Sequence, residues 1–194
     1  MPSEALCEGG LVEFTTDFDF NNTPKESVFN IRYHVELVNI HAIIDYRMDV
    51  KKLVTTYLQT GQVMQFATSE ENQPRICTVH YAPDEHFNLY WMSLRSSTHS
   101  QQLIKNKKTS AGVLIDPNNK VCVHFEGEAF ELTGEEAKKA HNIYGGRYGL
   151  KDERLAEALS EDPNTRAYYV FKPKKIALFD AVTDHENPKR ELNL

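Results

Sequence analysis

Two short stretches hold the residues whose types and spacing could do chemistry. Arg75 and His80 stand five apart on one extended segment, and Arg95-Ser96-Ser97-Thr98-His99 fills a turn before a helical pattern. A serine- and threonine-rich turn running into a helix N-terminus can hold a phosphate, because unpaired backbone N–H groups and the positive end of the helix dipole face one point. Arg95 would add charge. The same residues equally suit a solvated loop in which Ser97 or Thr98 merely caps the helix. Stronger motifs are absent: no glycine-rich phosphate loop, H-E-x-x-H, nucleophile elbow or carboxylate pair set by spacing occurs. Cys7, Cys77 and Cys122 are odd in number and lack C-x-x-C spacing, so neither a disulfide framework nor a metal site is expected.

These residues need elements to position them. Asp49 is an acceptable N-cap, Val50, Leu53, Val54, Tyr57 and Leu58 recur at helical spacing, and Gly61 stands where a helix ends. The period then changes to two over 61–68, 75–81 and 88–93, with turn-like residues between, which predicts a three-stranded antiparallel meander. A short helix over 98–106 and a strand over 111–115 follow. Residues 120–132 alternate over an unusual length, and Gly127 within them predicts a bend or bulge. Thr133-Gly134-Glu135-Glu136 fits a capping box opening a helix that Gly145-Gly146 breaks. A helix around Leu155 and Leu159 and strands over 167–171 and 175–179 complete the chain, with Lys172-Pro173-Lys174-Lys175 as a solvated corner. Some seven strands with two or three helices predict a mainly β protein, a closed or nearly closed antiparallel barrel decorated by helices.

A chain of 194 residues suits one domain with appendages. Residues 1–47 carry eight acids and three bases, and residues 48–194 carry twenty acids and nineteen bases. No concentrated basic face results, so nucleic acid is not an expected partner. No run approaches a membrane span, and Met1-Pro2-Ser3-Glu4-Ala5 does not open like a secretion signal, so a cytoplasmic protein without membrane attachment is expected. Residues 1–47 read as an N-terminal extension, disordered or upstream of the native start, because Met48 opens a clean helix. Residues 48–194 form the expected domain.

The order of Gln62-Val63-Met64-Gln65-Phe66-Ala67-Thr68, Gln73-Pro74-Arg75-Ile76-Cys77-Thr78-Val79-His80-Tyr81 and Leu89-Tyr90-Trp91-Met92-Ser93 resembles the pyridoxamine 5′-phosphate oxidase-like superfamily. Ser97 to Asn106 and Phe125-Glu126-Gly127-Glu128-Ala129 continue the likeness, which covers roughly Asp49 to the C-terminus. The resemblance implies an FMN-binding split β-barrel, a homodimer with the flavin at its interface, and an oxidoreductase of unknown small-molecule substrate. It implies cofactor binding by Arg75, Thr78, His80, Ser93, Ser97, Thr98 and His99, with Met92 beside the ring or ribityl chain. Arg75 falls where the second strand offers a phosphate arginine, and His80 near the lysine that closes that strand. Ser97 matches the serine of an S-R-K turn, whereas Thr98 and His99 replace its two cations; a protonated His99 could restore one. Cys122 stands where the oxidase has a glutamine near the flavin. Other readings stay open: deazaflavin in place of FMN, a non-catalytic module holding flavin, or haem through one of the histidines, and an apo dimeric scaffold; His80, His99 and His124 taken singly also suit ordinary strand or loop histidines.

Overall fold

The computed structural model describes residues 49–194 except 117, 119, 161 and 183. The predicted extension at 1–47 and Cys7 lie outside the described residues. Asp49 caps the first helix, α1 (Val50–Thr60), its Oδ1 accepting from Lys52 N at 3.0 Å. Leu53, Val54 and Leu58 turn its apolar stripe inward. Gly61 ends α1, but in an extended conformation and not a left-handed one. The glycine answers a packing demand: a Cβ there would lie 2.6 Å from Tyr81 Oη.

Eight strands form one antiparallel sheet in the order β2-β1-β5-β6-β7-β4-β3, with β8 also on β7. β1 (Val63–Glu70) and β2 (Gln73–His80) make a hairpin whose two turn residues, Glu71 and Asn72, both have positive φ, the geometry that matches strand twist. The predicted meander fails at the third strand. β4 (Leu89–Leu94) does not join β2; it pairs with β3 (Ala82–Pro83) and with the first half of β7 (Arg166–Asp180). After β2 the chain therefore passes from one end of the sheet order to the other, which leaves β2 as an edge strand.

Between β4 and β5 (Lys108–Asp116) runs α2 (Thr98–Lys105). Its C-terminal end is tied to β1 by a Lys105–Glu70 ion pair and by Asn106 Nδ2 donating to Ser69 Oγ at 3.0 Å. β6 (Val121–Leu132) buries Val121, Val123, Phe125 and Ala129 on one face, as its alternation predicts, and pairs with β7 along its length. The register shifts between Glu126 and Gly127, where the bulge was expected. The supposed corner at Lys172–Lys175 is instead the interior of β7. Proline lacks the N–H a regular ladder needs, and the bulge accommodates Pro173 opposite Gly127. β8 (Lys189–Leu192) adds a strand that no sequence pattern announced.

A helical insert lies between β6 and β7: α3 (Gly134–Ala140), a π turn (His141–Gly145), α4 (Gly146–Tyr148) and α5 (Asp152–Leu159). Thr133 makes no side-chain capping bond. Gly134 has φ +55°, outside the right-handed geometry that a capping box needs. Nor does Gly145-Gly146 break the helix. Gly145 packs on the His141 ring, where a Cβ would lie 3.0 Å from Nδ1, and Gly149 at φ +65° provides the left-handed stop.

Two apolar clusters result, one on each face of β4 and β7. Inside the barrel, Phe66, Trp91, Tyr169, Phe171, Leu89 and Val123 form the centre, with Trp91 stacked on Tyr169 at 5.4 Å. Outside, the insert covers Tyr90, Leu132, Tyr168 and Val170. Tyr90 and Trp91 are thus packing residues, as aromatic strand residues usually are. Gly127 is the tightest point: a Cβ would collide with the Lys172 carbonyl oxygen and reach Phe171 Cε1 at 3.0 Å. Gly127→Ala is expected to lower the stability by about 1–3 kcal/mol in urea unfolding, whereas Gly112→Ala, whose Cβ would meet only His124 Cδ2 at 3.7 Å, leaves the midpoint near wild type.

Candidate functional site

Strand alternation decides which candidate residues can share a ligand. On β2, Cys77 and Val79 pack against the barrel interior, so Arg75 shares the inward face; Thr78 and His80 point the other way with Ile76. Arg75 lies opposite Thr68, whose hydroxyl donates to Gln102 Oε1 at 2.6 Å. Among the described residues Arg75 has no ion pair, and its side chain is exposed. His80 stands against the Tyr148 ring with centroids 5.5 Å apart. On β4, Ser93 follows Trp91 on the inward face, whereas Met92 packs against the outer cluster beneath the insert. Met92 and Ser93 therefore do not face one ligand.

Ser97 is the N-cap of α2, accepting from Ser100 N. Its hydroxyl also donates to Ser100 Oγ at 2.8 Å and lies 3.1 Å from His99 Nε2. His99 Nε2 lies 2.9 Å from Ser93 Oγ, and the ring meets Phe66 edge-on at 5.5 Å. Ser93, Ser97 and His99 thus form one connected group at the start of α2, and Thr98, the first helical residue, is exposed beside it. Burial holds the His99 imidazole below its ordinary value, so the ring is neutral near pH 7 and is not a standing cation.

Arg95 does not supply charge to the turn. Its Nε donates to Glu131 Oε1 at 2.8 Å, one terminal nitrogen donates to Thr165 Oγ1 at 2.6 Å, and the other to the Ala158 carbonyl at 2.8 Å. The guanidinium is consumed in holding the end of α5 and the start of β7 to β4. Spacing alone could not reveal this, because its partners lie more than thirty residues away in the chain.

Cys122 and His124 share the outward face of β6, with Sγ 3.3 Å from Nε2. Burial pushes the Cys122 thiol up and the Cys77 thiol up to about 12, so both are protonated and unreactive near neutrality. Among the described residues, no helix is long and apolar enough to cross a membrane.

No family model matches the chain, and no curated protein matches it in sequence. Solved structures match its fold. General stress protein 26 from Bacillus anthracis is 17% identical, covering 76% of this chain and 100% of its own, with a TM-score of 0.54. A protein related to general stress protein 26, of the pyridoxinephosphate oxidase family, from Clostridium acetobutylicum is 16% identical over 77% of this chain and 95% of its own, with a TM-score of 0.53. A FAD-binding protein from Mesorhizobium loti is 16% identical over 64% of this chain and 88% of its own, with a TM-score of 0.51. The fold is the pyridoxamine 5′-phosphate oxidase-like split barrel.

Within this split barrel, the donors present suit a phosphate in kind: first-turn amides of α2, the hydroxyls of Ser93, Ser97 and Thr98, and, on the edge strand β2, the Arg75 guanidinium, which has no acid partner among the described residues. Sequence reasoning missed the supports behind them. Ser100 is buried three residues after Ser97, and Thr68 is a polar residue at an inward position of β1 alternating with Met64 and Phe66. That break in the apolar alternation was the available signal. Removing the Arg95 guanidinium by Arg95→Met takes from Glu131 its ion-pair partner, with the Tyr169 hydroxyl still 3.4 Å away, and from the Ala158 carbonyl its side-chain donor. A loss of about 1–3 kcal/mol in denaturant unfolding is expected.

Proposed function

We propose that this split barrel binds FMN and acts as an oxidoreductase on a small molecule, working in the cytoplasm as a homodimer. The observation that carries the reading is the Ser93–His99–Ser97 group at the start of α2, with Arg75, which has no ion pair among the described residues, exposed on the edge strand β2 opposite Thr68. The likeness to a structure named as FAD-binding adds support for a flavin. In this reading Arg75, Ser93, Ser97, Thr98 and His99 hold the phosphate end. Thr78 and His80, on the outward face, contact a flavin that lies across the open edge of β2. The bound isoalloxazine would supply the electron chemistry; the protein supplies position and electrostatics.

The homodimer draws its support from the outward face of β2, β1, β5 and β6. Ile76 is 71% and Leu114 60% exposed there, and Ala67, Ser110 and Gly112 line a shallow trough of about 410 Å³ that a second copy can cover. Ile76→Lys is expected to shift the species seen in sedimentation velocity from dimer to monomer. A wild-type monomer at micromolar concentration would remove the dimer from the reading.

Sequestration of Arg95 and the neutral His99 favour one rival, a barrel that no longer holds flavin and serves as a dimeric scaffold. Absorbance from 300 to 500 nm with added FMN separates the two. Saturable flavin binding, weakened about tenfold or more by Arg75→Ala through loss of a charge-assisted bond of about 1.5–3 kcal/mol, supports the cofactor. A colourless protein that does not take up FMN supports the scaffold; a Soret band indicates haem.

A further inference from the structure

His99 occupies an unusual electrostatic position. Among the described residues, the groups in contact with its ring are uncharged: Phe66 from β1, Ser93 from β4, and Ser97 from the start of α2, backed by Ser100. Among the described residues, burial is what favours the neutral form of the ring. Arg75 lies on the neighbouring strand, and Arg95 is bound to Glu131. A ligand phosphate at the start of α2 would therefore be the first strong charge that the imidazole meets.

Ser93 makes a change of protonation inexpensive. A hydroxyl can donate or accept at the same oxygen by rotating its hydrogen. Against a neutral Nε2 a serine hydroxyl can donate to the ring; against Nε2–H it accepts, and its own hydrogen is released to point elsewhere. Where Ser93 donates to a neutral Nε2, protonation of that nitrogen keeps the 2.9 Å contact and turns the Ser93 hydrogen toward a ligand oxygen, while Ser97, whose hydrogen goes to Ser100, serves the ring as an acceptor. A lysine or arginine at position 99 would be charged already and would have no such step.

We infer that His99 makes phosphate recognition at this site proton-coupled, the imidazole taking up one solvent proton as a phosphate dianion binds, so that the site prefers phosphorylated over unphosphorylated flavin increasingly as pH falls. The inference rests on the flavin reading above. The dianion stabilises the imidazolium, and the uptake ends where the ring of the free protein is itself protonated.

The experiment is a fluorescence titration of the purified full chain with FMN and, separately, with riboflavin between about pH 6 and pH 8, where histidine sites titrate. The expected result is a ratio of FMN to riboflavin affinity that rises by up to about tenfold for each unit of falling pH. Calorimetry of FMN binding in buffers of different ionisation enthalpy should show net uptake of up to one proton per site, greatest at pH values between the titration of the free ring and that of the bound ring. His99→Gln, which keeps a hydrogen-bonding side chain, should flatten the ratio and abolish that uptake. Equal pH profiles for the two ligands in the wild type would overturn the role of His99 while leaving the flavin reading standing. An equal rise in His99→Gln would also overturn it, by assigning the proton to the phosphate or another residue. Binding of neither ligand overturns both readings.

Discussion

The close approach of β6 and β7 at Gly127 is the constraint on which the rest of the molecule depends. β7 pairs with β6 along one edge and with β4 and β8 on the other, so four strands are held through this ladder. Only a residue without a side chain lets the Lys172 carbonyl and the Phe171 ring come so near. Across the bulge, β7 changes its neighbour from β4 to β8, and the sheet bends enough to enclose an aromatic centre. Without it, β4 would have only the two-residue β3 as a partner.

The candidate site inherits its geometry from that arrangement. Ser93 is aimed inward because β4 keeps its register with β7, Ser93 opposite Ala167. The turn that follows is pinned by Arg95, which bonds to groups from β6, α5 and β7. α2 then begins at Ser97, and its far end is tied to β1 through Lys105 and Asn106. A cation that might have met a ligand is spent on holding the turn, which is physically coherent: an arginine with several fixed acceptors is a rigid brace, and its charge is already neutralised by Glu131. The site is left with hydroxyls, amides, a neutral imidazole and the exposed Arg75. Such a set favours recognition by directional hydrogen bonds over recognition by charge.

Much was legible from residue order alone. Helix α1 with its Asp49 cap, the β1–β2 hairpin, α2, the long β6 and its Gly127 bulge all follow from periods and punctuation within a few residues. Elements set by distant partners were not legible. β8 has a weak pattern and exists through its pairing with β7. Pro173 reads as a break, yet β7 continues through it because the bulge removes the need for its N–H. Gly61 ends α1 as read, with the close approach of Tyr81 as a further reason for glycine, whereas Gly145 was read as a break where its reason is the space taken by His141.

The amino-acid sequence by itself determined the local elements, the antiparallel barrel class and the chemical types gathered around 75–80 and 93–99, because periodicity, caps and turn residues act over a few positions. Only the tertiary structure decided which of those residues face one another. It set the half-buried His99 against two serines and withdrew Arg95 from the turn. The physical reason is that strand facing, burial and ion pairing are set by partners remote in the chain, and a side chain's charge and availability depend on those partners as much as on its own chemistry.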